Sequence, residues 1–250
     1  MTSFAVLSDI HGNRWALEAV LEDLAPTSVD AVFNLGDTLW GVLDPAGTAG
    51  LLMPLAVRHV RGNTDREMLG DLPQSPSLTD RYANSATTNA QRQWLAASHG
   101  APFEIEGVLA CHGTPDDDDT SLLEDIGVDG VRRRRGGEIG AVLRGVPSGI
   151  SLVLCGHTHL PGMVQVPGGP LVVNPGSVGL PAYSHDVPFP HRMESGVPHA
   201  RYAVVRRGRA GWTVELRAVA YDWHAAAAHA AEVGRPEWAH QLRTGHVAPM

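Results

Sequence analysis

The chain of 250 residues carries a formal net charge of −8, with 43% apolar and 18% charged residues. These proportions are typical of a globular protein with a sizeable core, and they exclude a disordered or fibrous chain. The negative charge also disfavours a broad nucleic-acid-binding surface, which normally needs a basic face.

The sequence shows no pattern typical of a membrane span, a signal peptide or a disulfide framework. No segment approaches the roughly 20 consecutive apolar residues of a membrane span, and the N-terminus lacks the basic region of a signal peptide. Two cysteines, Cys111 and Cys155, are too few for a disulfide framework, and each ends an apolar run. We therefore predict buried thiols in a cytoplasmic protein that does not bind a membrane.

The first third of the chain alternates predicted strands and helices. Apolar runs predict strands at residues 4–8, 31–35 and 57–60. Apolar residues at helical spacing predict a helix over 17–24, ended by Pro26, and a short helix over 51–55. This order predicts a largely parallel sheet with helices packed on it.

The later chain consists mostly of short apolar runs separated by glycine and proline. They predict hairpins over 103–111 and 201–219, and single strands at 152–155, 163–166 and 171–173. An Ala-rich helix is predicted over 223–233. Such mixed pairing favours a two-sheet sandwich with outer helices over a doubly wound sheet. We predict a single domain over residues 1–250, with a C-terminal helical segment at 222–245.

Three segments show no periodicity. Residues 116–119 are four aspartates and residues 132–135 are four arginines. They are either solvated loop faces or, for the arginines, a group that reaches a phosphate. The Pro- and His-rich segment 184–199 is predicted to be a loop, with a lid over a site as its functional interpretation.

Residues able to bind a metal follow five of the predicted strands, each at the point where the strand ends. They are two aspartates, one asparagine and four histidines: Asp9, His11, Asp37, Asn63, His112, His157 and His159. Because ligands of such sheets gather at the carboxyl ends of strands, we expect these side chains to converge. Each piece alone recurs often by chance, but five in this order are hard to ascribe to coincidence.

This mixture of side chains indicates a particular chemistry. The set is larger than one metal needs, and an aspartate can bridge two cations about 3.5–4 Å apart. Nitrogen and oxygen ligands without thiolate suit Mn²⁺, Fe or Zn²⁺ and disfavour a cysteine-type structural zinc site. Two metals can generate a hydroxide near neutral pH and hold the phosphoryl oxygens during in-line attack. The pattern therefore predicts hydrolysis at phosphorus.

At this point the chain resembles the calcineurin-like metallophosphoesterases. The five motifs that carry the resemblance are Ser8-Asp9-Ile10-His11-Gly12-Asn13, Gly36-Asp37, Gly62-Asn63-Thr64-Asp65, His112-Gly113 and Gly156-His157-Thr158-His159. They agree in order and spacing over residues 4 to about 181. The segment 174–179 and the tail 221–238 are similar to the small bacterial and archaeal members, the YfcE-like phosphodiesterase group.

The resemblance implies a four-layer αββα sandwich of two mixed β-sheets flanked by helices. It implies two divalent metal ions, with Mn²⁺ favoured and Fe, Zn²⁺, Ni²⁺ or Mg²⁺ as alternatives. One ion would be held by Asp9, His11 and His159, the other by Asn63, His112 and His157, with Asp37 as the bridge. The relatives also suggest a homodimer.

The resemblance assigns roles beyond metal binding. Asp37, Asn13 and His112 are predicted to be catalytic, and Asn13 and Asn63 to bind substrate. Asn13 either orients a phosphate oxygen or caps the helix that follows it.

One position departs from the family pattern. Many members have a histidine after the Gly-Asn pair, which can help to protonate the leaving group, but this chain has Thr64. Threonine cannot act as an acid near pH 7, and the small bacterial phosphodiesterases often lack this histidine too. Asp65 is then expected to have a structural role behind the ligands. The histidines that could substitute as donors are His99, His185, His191 and His199.

The sequence therefore predicts a metal-dependent phosphodiesterase that hydrolyses a small soluble phosphate ester through a hydroxide bridging two metals. The alternatives are a phosphomonoesterase, a nucleotide or dinucleotide polyphosphate hydrolase, a nuclease and a non-catalytic metal-binding scaffold. The lack of a basic aromatic groove makes a nucleic-acid partner the weaker interpretation. Because every ligand position is filled by a competent residue, the scaffold is weaker still.

Overall fold

The computed structural model of the protein describes residues 3–70 and 75–249. The strands in this part of the chain are β1 Ser3–Leu7, β2 Ala31–Asn34, β3 Val57–Val60, β4 His99–Gly100, β5 Phe103–Ile105, β6 Val108–Ala110, β7 Glu124–Gly127, β8 Gly130–Arg133, β9 Leu152–Leu154, β10 Gly162–Gln165, β11 Leu171–Asn174, β12 Ala182–His185, β13 His191–Glu194, β14 Ala200–Gly208 and β15 Gly211–Val219. The helices are α1 Arg14–Leu24, α2 Pro45–Leu52, α3 Asn63–Met68, α4 Leu78–Ser85, α5 Asn89–Ser98, α6 Gly136–Val142, α7 Trp223–Glu232 and α8 Pro236–Thr244.

Two mixed sheets form the centre of the fold. The larger sheet has six strands in the order β15-β14-β1-β2-β3-β4, and β1 to β4 run parallel. The smaller has five strands in the order β10-β11-β9-β6-β5, with β6, β9 and β11 parallel and an antiparallel strand at each edge. The mixed sandwich predicted from the sequence is confirmed.

Strand β1 shows why these runs are apolar throughout rather than alternating. Phe4 and Val6 face the smaller sheet and pack in the core between the two sheets. Ala5 and Leu7 point the other way and pack against α1, beside Leu17. A strand that is covered on both faces has no solvent side, so every position favours an apolar residue.

The outer layers complete the sandwich. Helix α1 covers the free face of the larger sheet, and α6 covers the free face of the smaller sheet through Ile139 and Leu143. Helices α7 and α8 pack together on Val42 and Leu43, close to where α1 begins. None of the helices in the described ranges has the length and apolarity needed to cross a bilayer.

Some local predictions were wrong. Segment 184–199 is not an irregular loop throughout, because β12 and β13 pair as a hairpin from Ala182 to Glu194. The helix predicted over 51–55 instead begins at Pro45 and ends at Leu52. Helices α4 and α5 and the β7–β8 hairpin were not predicted.

Candidate metal centre

The predicted ligands converge at one edge of the two sheets, where five strands end. Asp9 and His11 follow β1, Asp37 follows β2, Asn63 follows β3, His112 follows β6, and His157 and His159 follow β9. The strands β1, β2 and β3 are parallel, as are β6 and β9, so within each sheet their carboxyl ends lie on the same side.

Two groups of atoms define the centre. Asp9, His11 and His159 form one group whose potential ligand atoms lie within 4.8 Å of one another, and Asp9, Asp37 and His112 form another. The Asp37 carboxylate lies between them, with Oδ2 3.7 Å from His11 Nε2 and Oδ1 3.6 Å from His112 Nε2. Asp9 Oδ1 is 3.4 Å from His159 Nε2.

The second half of the centre is formed by Asn63, His112 and His157. Asn63 Oδ1 is 3.0 Å from His112 Nε2, and the rings of His112 and His157 lie 5.3 Å apart. The backbone N–H of His157 donates to Asp9 Oδ2 at 3.1 Å, which links the two halves.

Three of the four histidines have one ring nitrogen fixed by a backbone carbonyl. Nδ1 of His11 is 3.0 Å from the Trp40 carbonyl, Nδ1 of His112 is 2.8 Å from that of Leu35, and Nδ1 of His159 is 2.6 Å from that of Leu180. Because a carbonyl only accepts, these contacts place a proton on the bound nitrogen, and a ring in its neutral form then presents the other nitrogen as a lone pair.

This arrangement brings acceptor atoms face to face. His11 Nε2 and His159 Nε2 are 3.1 Å apart, although each Nδ1 proton is already donated to a carbonyl. Asp9 Oδ1 is buried beside them without a hydrogen-bond partner. Lone pairs that meet without a proton between them repel, and a cation bound among them removes that repulsion. The donor set therefore fits a divalent metal.

The pKa values of the buried aspartates and histidines also fit a metal site. Burial raises the pKa of Asp37 to about 7. Burial also acts to raise the pKa of Asp9, but the neighbouring imidazoles, above all His159, hold it below its usual range. Burial lowers the pKa values of His11 and His157 to about 3, so both rings are in the neutral form that binds metals. A bound cation would stabilise the buried carboxylates in their charged form.

The backbone at the ligands is strained. Asp9, His11, Asp37, His157 and His159 all have a positive φ, between 51° and 69°, a region that residues other than glycine rarely adopt. Such strain persists only where surrounding contacts hold it in place, and it clusters at functional sites.

Close packing explains two of the glycines beside the ligands. A Cβ atom at Gly62 would lie 2.1 Å from Asp37 Oδ1, and one at Gly156 would lie 2.9 Å from Asp9 Oδ2. Both positions exclude any side chain, because the Asp37 carboxylate occupies that space at Gly62, and Ser8 Oγ, 2.0 Å from the added Cβ, occupies it together with the Asp9 carboxylate at Gly156.

Asp65 lies behind the ligands and holds the backbone near Asp37. It is fully buried and accepts hydrogen bonds from the backbone N–H groups of Asp37, Thr38 and Gly62, at 2.8, 2.8 and 3.0 Å. The N–H of Thr64 donates to Asp37 Oδ1 at 3.0 Å, and the Thr64 hydroxyl is buried without a partner. This is the structural role predicted for Asp65.

Asn13 adopts the capping conformation. Its Oδ1 accepts from the N–H of Ala16 at 3.1 Å, which caps α1. Its Nδ2 donates to the Gly179 carbonyl at 2.8 Å and to the Tyr221 hydroxyl at 3.2 Å. Both amide protons are therefore used within the protein, and of the two roles considered for Asn13 the structure shows the cap.

The other histidines considered as proton donors lie in separate places. His99 is buried and hydrogen-bonds Thr38. His185 and His191 face each other on the β12–β13 hairpin, with ring centroids 5.9 Å apart. His199 packs on Trp223 at 5.4 Å.

The charged runs also have defined places. Three of the arginines bond within the β7–β8 region: Arg132 pairs with Asp125 and Glu138, Arg133 with Glu124, and Arg134 with the Ser121 carbonyl. The aspartates lie nearer to the centre. Residues 116–118 line a cleft of about 320 Å³ together with Arg61, Arg66 and the ligand His112.

Sequence reasoning missed several residues that contact the ligands. The Tyr183 ring lies 4.6 Å from that of His159, and its hydroxyl donates to the His157 carbonyl at 3.2 Å. Ser8 Oγ donates to Asp9 Oδ2 at 2.6 Å. Ser8 stood beside a proposed ligand in the sequence and could have been considered, whereas Tyr183 lies just before the aperiodic segment 184–199 and had no signal.

Comparison with known proteins agrees with this geometry. The sequence model of the calcineurin-like phosphoesterase superfamily domain matches residues 2–189. An uncharacterised protein of Methanocaldococcus jannaschii, MJ0912, is 39% identical over 66 residues. The matched stretch spans 26% of this chain and 27% of that protein.

Two solved structures resemble the whole chain. A metallophosphoesterase from Sphaerobacter thermophilus shares 22% identity with a TM-score of 0.73, covering 97% of this chain and 99% of that one. The hypothetical protein PH1004 from Pyrococcus horikoshii OT3 shares 20% identity with a TM-score of 0.76, covering 99% and 100%. These likenesses show a shared fold, and the family prediction is confirmed. The chain belongs to the calcineurin-like phosphoesterase superfamily and is a hydrolase of phosphoric ester bonds.

Proposed function

We propose that the protein is a phosphodiesterase that acts on a small soluble phosphate ester with two divalent cations, Mn²⁺ first among them. The observation that carries the proposal is the meeting of buried ligand atoms, His11 Nε2 and His159 Nε2 at 3.1 Å beside the unpartnered Asp9 Oδ1. Asp37, between His11 and His112, is the proposed bridge.

The residues of the chain would have the following roles. Asp9, His11 and His159 would hold one cation, and Asn63, His112 and His157 the other. The two cations would lower the pKa of a water molecule and neutralise charge on the phosphoryl oxygens. The carbonyls behind His11, His112 and His159 would fix each of these rings in the tautomer that, when neutral, leaves a lone pair toward the centre.

Thr64 supports a diester over a monoester substrate. It occupies the place where many family members have a proton donor, and its hydroxyl is buried. A threonine does not donate a proton near neutral pH, so the enzyme would favour leaving groups that depart without one. Asn63 is retained as a substrate-binding and metal-binding residue, and His112 as a catalytic one. Asn13 is left out because its amide protons are both donated within the protein.

Metal content and turnover test the proposal together. The purified protein is loaded with Mn²⁺, dialysed and analysed for bound metal, then assayed in parallel with bis-p-nitrophenyl phosphate and p-nitrophenyl phosphate. We expect two ions per chain and a higher kcat/KM for the diester. A protein with neither metal nor turnover would refute the enzyme, and a preference for the monoester would favour the phosphomonoesterase.

A second candidate is a nucleotide or dinucleotide polyphosphate hydrolase. The observation that favours it is the cleft beside His112, where Arg61 and Arg66 could contact further phosphate groups. Faster hydrolysis of diadenosine tetraphosphate than of bis-p-nitrophenyl phosphate would select this candidate. The single domain, the cytoplasmic location and the homodimer remain predictions.

A further inference from the structure

A chain of polar side chains, buried except for the half-buried Ser98, lies directly behind Asp37. We call it the Thr38 relay, and its members are Asn34, Thr38, Ser98 and His99. Thr38 Oγ1 is 2.7 Å from Asn34 Nδ2 and 2.8 Å from His99 Nε2, and His99 Nδ1 is 2.9 Å from Ser98 Oγ. Asn34, Thr38 and His99 are 0%, 0% and 3% exposed, so these bonds are made away from solvent.

The direction of each hydrogen bond in the relay can be assigned. Ser98 Oγ donates its only proton to the Trp94 carbonyl, so it must accept from His99 Nδ1. A neutral His99 with its proton on Nδ1 has an accepting Nε2, to which Thr38 donates. Thr38 Oγ1 can then accept from the Asn34 amide.

A second histidine lies at the side of the relay. Asn34 Nδ2 is 3.1 Å from His59 Nδ1, which therefore accepts, and the rings of His59 and His99 stack at 4.2 Å. Burial lowers the pKa values of both histidines to about 3, which agrees with two neutral rings. Trp94 covers both, with ring centroids 5.4 and 5.1 Å away.

The relay holds Thr38, the residue that follows the proposed bridge Asp37. Asp37 has a φ of 55°, a strained conformation. On its C-terminal side, Thr38 is held through its backbone N–H by Asp65 and through its hydroxyl by His99 and Asn34. The peptide that joins Asp37 to Thr38 therefore has little freedom to relax.

We propose that Thr38 and His99 are positioning residues that hold Asp37 in the strained conformation in which its carboxylate faces both halves of the metal centre. This rests on the proposed function, because it takes Asp37 as the shared ligand. Neither residue is expected to touch substrate. Replacement of Thr38 or His99 releases the Asp37 backbone and thereby lowers the affinity for the second metal ion.

Isosteric replacement of Thr38 is the first test. Thr38→Val removes the hydroxyl and keeps the shape, whereas Thr38→Ser keeps the hydroxyl. The control is Thr48→Val, because Thr48 is fully buried in α2 and its hydroxyl has no partner. Loss of an outer partner of a metal ligand typically costs about 10- to 100-fold in metal affinity. We expect the affinity for the second Mn²⁺ ion to fall by this factor in Thr38→Val. In Thr38→Ser and Thr48→Val the affinity should stay within about twofold of the wild type.

The readouts separate positioning from a general loss of stability. Calorimetric titration gives the two Mn²⁺ affinities, and electron paramagnetic resonance gives the magnetic coupling between the ions, which a shared carboxylate transmits. We expect weaker coupling in Thr38→Val. A variant with a lowered melting temperature but unchanged affinities and coupling would overturn the proposal. Failure of the proposed function would appear in the wild type itself, as an absence of bound metal.

His99 provides a test that does not depend on Thr38 variants. Nitrogen NMR of the histidine rings should show His99 protonated on Nδ1 and His59 on Nε2, and the opposite tautomer at His99 would overturn the relay. His99→Gln, which can place a carbonyl oxygen near the position of Nε2, should retain more Mn²⁺ affinity than His99→Leu. Equal affinities in these two variants would also overturn the proposal.

Discussion

The two halves of the metal centre differ in how far they are shielded from solvent. Asp9, His11 and His159 are 0%, 3% and 3% exposed, and aromatic side chains surround His11 and His159. In the other half, Asn63 and His157 are partly exposed, and His112 lines an open cleft. A buried, rigid set of ligands suits a tightly held cation, whereas the open half is where a substrate can approach. The following predictions test this difference.

Asp37 belongs to both halves, so its loss should have the largest effect. An amide in Asp37→Asn offers one ligating oxygen and no charge, so it cannot bridge two cations as a carboxylate does. We expect kcat/KM for bis-p-nitrophenyl phosphate to fall by more than the about 100-fold typical of a residue behind a ligand. The measurement is made at saturating Mn²⁺.

The matched control is Asp129→Asn, because Asp129 is exposed in the turn between β7 and β8. It removes one carboxylate elsewhere on the surface and should leave the rate unchanged. Full activity of Asp37→Asn would show that Asp37 does not bridge, and it would also remove the link between the two halves.

The second largest effect is expected on Mn²⁺ binding, because the two halves of the metal centre should differ in affinity. We expect the wild type to bind two ions in sequence, with the tighter at Asp9, His11 and His159, because all three are buried whereas Asn63 and His157 are partly exposed. His159→Ala should abolish the tighter step and His157→Ala the weaker one. We expect the two steps to differ by about 10- to 100-fold in affinity, the range over which fixed outer partners alter metal binding.

Calorimetric titration of His159→Ala and His157→Ala shows which half of the metal centre binds Mn²⁺ more tightly. His224→Ala is the control, because His224 is exposed on α7 and lies outside the centre. If His157→Ala removed the tighter step, exposure would not determine the order of metal binding, and the comparison between the halves would be reversed.

The convergence of the proposed ligands could be predicted from sequence because each of them follows a predicted strand. The hydrophobic pattern locates the strand end, and parallel pairing brings the ends together, as with Asp9 after β1 and Asp37 after β2. The surroundings of the ligands were harder to predict. Tyr183 reaches His159 from a hairpin with no alternating pattern, and the Thr38 relay joins residues up to 61 positions apart in the chain.

Two of the missed elements did carry a local signal. Thr88 and Gln91 form a capping box at the start of α5, and Ser77 caps α4. Both helices have few apolar residues, so a search for apolar periodicity overlooks them although their caps are evident. Asn13 carries two signals in the sequence. Its place in a ligand motif suggested a contact with phosphate, whereas its position before α1 had already indicated a cap.

Arg66 at the open half should give the smallest effect. It belongs to α3, which begins at Asn63, and it donates two hydrogen bonds of 3.0 Å to Asp118 and one of 3.0 Å to Asp119. Asp118 and Asp119 lie in the segment that follows His112. Arg66 therefore connects two ligand-bearing segments across the cleft, and its loss should loosen the open half alone.

Ion pairs at exposed positions contribute about 1 kcal/mol or less, which corresponds to a change of about fivefold. For Arg66→Ala we therefore expect a rise in KM, or a loss of affinity at the weaker Mn²⁺ step, of up to about fivefold, with the tighter step unchanged. High salt should produce part of the same effect in the wild type, since it screens the pair. Arg144→Ala, at an exposed position after α6, is the control. A loss of the tighter step in Arg66→Ala would mean that the two halves are coupled through the cleft and not only through Asp37.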